Sequence, residues 1–203
     1  MQVIKDDIQR MIVQKSKTMF LNKGFKKTSL RDIASSCNIS LGNVYNYFSS
    51  KDSIFRAVVS PSIISMYDML ERHHGKEGAD IIFMKSDIYF QKTLDEYLTF
   101  ILKHRELLRL LFFYSEHSSL NNFVDDFIVH SNITIKRWFN DMKSKYPYIN
   151  TDFSENFLSL HSLAMFEVIK QVVKTDIYEK DVVKMLSDYI KFEIHGWKQL
   201  IGI

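Results

Sequence analysis

The stretch TSLRDIASSCNISLGNVYNYFSSKD, residues 28 to 52, concentrates side chains that bond to phosphates and to base edges. Thr28, Ser29 and Ser40 offer hydroxyls, Asn43 and Asn46 carboxamides, Tyr45 and Tyr47 phenols, and Arg31 and Lys51 positive charge. Phenols donate to phosphate oxygens and an ammonium group adds charge, while carboxamide groups read base edges. Leu41 offers no hydrogen bond, so a thymine methyl is its sensible base partner. Gly42 presents no side chain and lets another surface come close.

No such gathering exists for covalent or metal chemistry. The histidines at positions 73, 74, 104, 117, 130, 161 and 195 are scattered, and His73 and His74 point to different faces of a helix. Cys37 is the single cysteine, with no nucleophile motif around it and no partner for a disulfide. An enzymatic role, a metal site and a cofactor are therefore not expected. His161 remains a candidate for a ligand site.

The charge distribution agrees with a polyanionic partner. Residues 1–56 hold ten Lys and Arg against four acids, whereas the remaining 147 hold 17 basic and 20 acidic side chains. A basic front unit suits nucleic acid, and the rest of the chain faces something else. The composition, 46 % hydrophobic with 6 Gly and 2 Pro in 203 residues, implies long helices, short connections and a sizeable core. No apolar run reaches the ~18 residues of a membrane span, and MQVIKDDIQRM has no signal-peptide core. A cytoplasmic protein without a membrane partner is expected.

Three short helices must position the residues of the opening stretch. Ile8, Ile12, Ser16, Met19 and Phe20 recur at helical spacing, predicting a first helix over 4–22 that stops at Gly24 in a left-handed conformation. A second helix opens at Ser29 or Thr28, with Asp32 completing a capping box and Leu30, Ile33, Ala34 and Cys37 facing inward. Asn38 suits a tight turn, and Ser40 caps a third helix from Leu41. Ile39, Val44 and Phe48 face inward there, which leaves Leu41, Gly42, Asn43, Asn46 and Tyr47 outside and Tyr45 at the margin. Helix, four-residue turn, helix is the spacing of a helix-turn-helix.

The same stretch resembles the DNA-binding segment of the TetR family of bacterial transcriptional repressors. Thr28, Ile33, Ala34, Ser40, Gly42, Tyr45, Tyr47, Phe48 and Lys51 fall on that family's pattern, as do Phe20 and Gly24 upstream. The resemblance covers about the first 56 residues. It implies phosphate contacts from Thr28 or Ser29, Tyr45, Tyr47 and Lys51, with base contacts among Arg31, Leu41, Gly42, Asn43 and Asn46. Asn38 stands where the family has Gly, Cys37 where it has Ala, and Lys15 and Ser16 where it has two alanines.

Beyond Lys51 the sequence predicts an apolar-periodic helix bent near Val58 to Pro61, a loop at 75–80, and helices at about 86–103, 104–115, 120–145, 152–174 and 178–201. Pro147 marks a break, and Thr151 or Asp152 and Thr175 or Asp176 read as caps. The expected fold is all-α with about nine helices: a helix-turn-helix domain at 1–50 and a helical effector-binding and dimerisation domain at 51–203. Among its many aromatics, Phe100, Phe112, Phe113, Trp138 and Phe166, with His161, are candidates to line an effector cavity. The resemblance implies a homodimer formed by the last two helices, through Phe157, Leu160, Ala164, Val168, Met185, Tyr189 and Trp197. It also implies a double-stranded operator with an inverted repeat and a small apolar or aromatic effector. The alternatives are a DNA-associated structural protein, or a ligand-binding protein without regulated operator binding.

Overall fold

Ile12, Ser16 and Phe20 stand four residues apart, so α1 (Gln2–Lys27) turns all three to one side, where each is fully buried. The computed structural model describes residues 2–174 and 177–203. Among these there is no strand. α1 is followed by α2 (Leu30–Ser36), α3 (Leu41–Tyr45), α4 (Lys51–His74), a 3₁₀ helix (Ile81–Lys85), α5 (Asp87–Phe113), α6 (Phe123–Lys145), α7 (Glu155–Lys174) and α8 (Glu179–Ile201).

Gly24 interrupts α1 differently from the expected left-handed stop. It adopts φ 74°, ψ 170°, a region open in practice only to glycine, and one more turn reaches Lys27. The Thr28 hydroxyl closes this end by donating to the Gly24 carbonyl at 2.8 Å. A Cβ on residue 24 would also lie 3.4 Å from the Tyr114 ring. Gly24→Ala is expected to cost about 1–3 kcal/mol, read as a lower midpoint in urea unfolding; an unchanged midpoint would mean that the backbone relaxes freely.

The turn between α2 and α3 follows the sequence closely. Asn38 adopts φ 54°, the left-handed conformation expected of it. Cys37 packs beneath it with 6 % of its surface exposed. α4 starts with a reciprocal pair: Ser53 N–H donates to Ser50 Oγ at 3.0 Å and Ser50 N–H to Ser53 Oγ at 3.1 Å. Pro61 does not end this helix. Its missing N–H would have bonded the Ala57 carbonyl, and the Ser60 hydroxyl donates to that oxygen instead, at 3.2 Å.

Two other expectations are corrected. A single helix, α5, replaces the two predicted at 86–103 and 104–115; the described residues hold eight α-helices and a 3₁₀ helix, in keeping with the about nine expected. The charged run Lys103 to Glu106 interrupts the apolar pattern but contains no Gly or Pro, and charge alone does not stop a helix. α7 is capped by Ser154, whose Oγ accepts from Phe157 N–H at 3.2 Å, not by Thr151 or Asp152. The expected cap at Thr175 or Asp176 lies outside the described residues.

The helices pack into two compact units. The first comprises the chain up to Ile64 with His104–Phe123, and the second Ser65–Lys103 with Val124–Ile203. Packing thus groups 104–123 with the front of the chain, whereas the division expected at residue 50 is one of function. In the first unit Phe20, Phe25 and Phe55 form a three-ring cluster, with Phe55 edge-on to Phe20 at 5.1 Å and to Phe25 at 5.2 Å between centroids. In the second, Ile81, Trp138, Phe139, Ile149, Leu158 and Ile201 form one buried cluster. The Trp138 N–H is satisfied by the Ala79 carbonyl at 2.9 Å. Asn150 donates from its backbone to Ile201 O at 2.8 Å and from its side chain to Leu200 O at 3.1 Å, covering carbonyls that the end of α8 leaves open.

Candidate nucleic-acid interface and ligand cavity

Two hydroxyl caps fix the reading surface. Ser29 Oγ accepts from Asp32 N–H at 3.1 Å while Asp32 accepts from Ser29 N–H at 3.2 Å, so α2 begins with a complete capping box. The hydrogen bonds from the Ser29 backbone and hydroxyl hold the Asp32 carboxyl below its ordinary pKa. Ser40 Oγ accepts from Asn43 N–H at 3.1 Å and starts α3 in the same way. The Ser40 hydroxyl serves its cap as acceptor, which leaves its own proton for an outside oxygen.

Val44 is fully buried and Phe48 nearly so, as their spacing requires. The opposite side of the motif carries Arg31, Gly42, Asn46 and Tyr45 in solvent, with Leu41, Asn43 and Tyr47 half-buried. Tyr45 is 52 % exposed, more than the marginal position expected. The Asn46 amide donates to Asn43 Oδ1 at 3.4 Å, which orients both carboxamides. A Cβ on Gly42 would meet only Ser40 Oγ, at 3.9 Å.

Two expected phosphate contacts are placed otherwise. Thr28 is 2 % exposed, with its proton given to Gly24, so Ser29 is the accessible member of that pair. Lys51 donates from Nζ to the Phe25 carbonyl at 2.7 Å and lies 4.1 Å from the centre of the Phe25 ring. Burial pushes its pKa down. In this state Lys51 ties the start of α4 to the end of α1.

The second unit contains two adjoining cavities of about 120 Å³ each. They share His74, Tyr97, Ile135, His161, Met165 and Ile169 as walls. Trp138 and His161 line the first, and Phe100, Phe166 and again His161 line the second. Phe112 and Phe113 line neither of these two cavities and belong to the first unit.

Polar groups are few in the cavity walls. Glu193 accepts from Trp197 Nε1–H at 3.2 Å and lies 3.0 Å from His161 Nδ1. Burial opposes its charge, but the hydrogen bond and charge of His161, with the Tyr189 hydroxyl and the Trp197 N–H, outweigh burial and keep its pKa below the ordinary value. His74 is pushed down to about 3, first by burial and then by the charges of His73 and His161, so its ring is neutral near pH 7. Tyr97 and Tyr189 are pushed up by burial and by nearby carboxylates, and their phenols keep their protons.

Of the residues expected at a dimer interface, Phe157, Leu160 and Ala164 lie exposed on the outer face of α7 and Met185 is half-buried. Val168, Tyr189 and Trp197 are half-buried and line the first cavity. Sequence reasoning missed Glu193, His74, Tyr97 and Tyr189 as cavity residues. The signal was available for Glu193, a carboxylate set within the apolar stripe Ile190, Ile194, Trp197 of the last helix.

Comparison with known proteins places the front of the chain. The family described as "Bacterial regulatory proteins, tetR family" matches residues 12–58. The chain is 37 % identical over 59 residues to the uncharacterized HTH-type transcriptional regulator YfiR of Bacillus subtilis, covering 29 % of each chain. It is 33 % identical over 63 residues to the biofilm operon icaADBC negative transcriptional regulator IcaR of Staphylococcus epidermidis, covering 31 % of this chain and 34 % of that one. The chain thus spans about a third of the length of these curated relatives. Over the whole fold it is similar to the regulator FadR of Bacillus subtilis, solved in complex with stearoyl-CoA. The TM-score is 0.64 at 11 % identity, with 92 % of this chain and 98 % of that one covered.

Proposed function

We propose that the chain, whose residues 12–58 match the TetR family of bacterial regulatory proteins, is a member of that family: a cytoplasmic homodimeric repressor, released from an inverted-repeat operator by a small apolar or aromatic effector. The family match and the regulators it resembles support a DNA-binding transcriptional regulator in place of an enzyme. Among the described residues no helix is long and apolar enough to cross a membrane. The proposal assigns operator reading to residues 1–50 and effector binding and dimerisation to 51–203.

The observation that carries the reading is the outer face of the helix-turn-helix, where Arg31, Gly42, Asn43, Tyr45 and Asn46 stand on capped helices with no core role. Arg31 and the carboxamides suit base edges, and Ser29, Ser40, Tyr45 and Tyr47 suit phosphates. Lys51 joins them when a phosphate oxygen takes the place of the Phe25 carbonyl. Dimerisation is supported by the outer face of α7, where Phe157, Leu160 and Leu163 are 38 %, 65 % and 45 % exposed in the single chain. The cavities support an effector site, and FadR, a regulator of this fold, is solved with a small molecule bound, stearoyl-CoA.

Binding-site selection from random duplex DNA, run at moderate salt and repeated near ~200 mM to suppress non-specific electrostatics, tests the reading. An inverted repeat enriched in both rounds is expected, with half-sites about one helical turn apart. Enrichment of no motif, with binding lost at the higher salt, would leave a DNA-associated protein without operators.

A further inference from the structure

The walls of the two cavities contain carboxylate, imidazole and phenol groups but no Lys or Arg among the described residues. Glu193 is the one acidic side chain in those walls, and its partner is His161. Glu96, held by Arg72 and by His73 at 2.7 Å, lines neither cavity. A cation arriving at Glu193 meets a carboxylate that no Lys or Arg of these walls neutralises. An anion meets no fixed positive charge and faces Glu193.

The rings around Glu193 favour the same sign. His161 is edge-on to Trp197 at 4.9 Å, Trp197 lies 6.0 Å from Phe139, Phe139 lies 5.1 Å from Trp138, and Trp138 is edge-on to His74 at 4.8 Å. This arc of rings bounds the first cavity with the carboxylate at one end, and aromatic faces attract cations. The Tyr189 phenol stands beside Glu193, one turn earlier on α8. Its oxygen adds an acceptor next to the carboxylate for a ligand that brings N–H donors. We propose that the effector is a lipophilic amine, bound as its ammonium ion with the nitrogen at Glu193 and the apolar body along the ring arc. This deepens the effector reading of the same cavity and rests on it.

The chain's two tryptophans, Trp138 and Trp197, both line the first cavity, so intrinsic fluorescence reports occupancy. Octylamine, octanol and octanoate share one tail and differ in the head group, and each is titrated into the purified protein near pH 7. Octylamine is expected to bind about ten-fold or more tighter than octanoate, with octanol between. Glu193→Gln is expected to bring octylamine down to the level of octanol. Octanoate binding as tightly as octylamine overturns the proposal, and so does an amine preference that survives Glu193→Gln in a folded variant. The rank order is read on the unaltered protein, so a variant that fails to fold leaves that comparison decisive. Equal binding of all three overturns the amine assignment and leaves an apolar effector site standing, whereas no response to any of them removes both.

Discussion

Gly42→Ala is expected to leave the free protein as stable as before, or slightly more so, while lowering operator affinity about 100-fold. In the free chain the added methyl would meet only Ser40 Oγ at 3.9 Å, and Gly42 has no left-handed backbone to protect. Alanine in a helix is worth up to about 1 kcal/mol over glycine. The fold therefore gives no reason for glycine at this position, and the missing side chain is read as room for something outside the chain. A methyl forced into a close-packed contact costs about 1–3 kcal/mol, and the proposed dimer incurs it twice. Thermal unfolding and operator titration on the same preparation separate the two effects. Unchanged affinity would mean that DNA does not approach at Gly42, and would move the base-reading surface toward Arg31 and Asn46.

Phe55→Ala is expected to remove about 3–5 kcal/mol of stability, a large share of the ~5–15 kcal/mol typical of a folded domain. Phe55 is fully buried and is the ring on which both Phe20 and Phe25 rest edge-on. Its loss leaves a cavity between α1 and α4 and loosens Phe25, whose ring and carbonyl hold Lys51. Urea unfolding followed by helical circular dichroism measures the change. A loss below about 1 kcal/mol would mean that the neighbouring rings collapse into the space.

Local signals made the reading head legible. Capping residues, the four-residue turn and the i, i+4 burial of Val44 and Phe48 depend on neighbours in sequence, and all are as their spacing required. Lys51 and Thr28 were legible as positions but not as contacts. Their partners, the carbonyls of Phe25 and Gly24, are backbone atoms that carry no sequence signature. In the body, periodicity located the helices. It could not tell that the charged run before Arg109 continues α5, or that Tyr189 and Trp197 turn toward a cavity. Those facts depend on which helix lies opposite, and an apolar stripe does not name its neighbour.

Cys37 gives the molecule a property that belongs to measurement. It is the only thiol in the chain and lies buried in the turn of the first unit, while both tryptophans belong to the second. A thiol reagent can reach Cys37 only when the head opens, so its labelling rate clocks that opening alone, without interference from the body. Fluorescence reads the body with equal exclusivity. With one native reporter in each unit, an effector's influence on the head can be followed as a change in labelling rate on unmodified protein, with the dye-free tryptophan signal recording occupancy in the same tube.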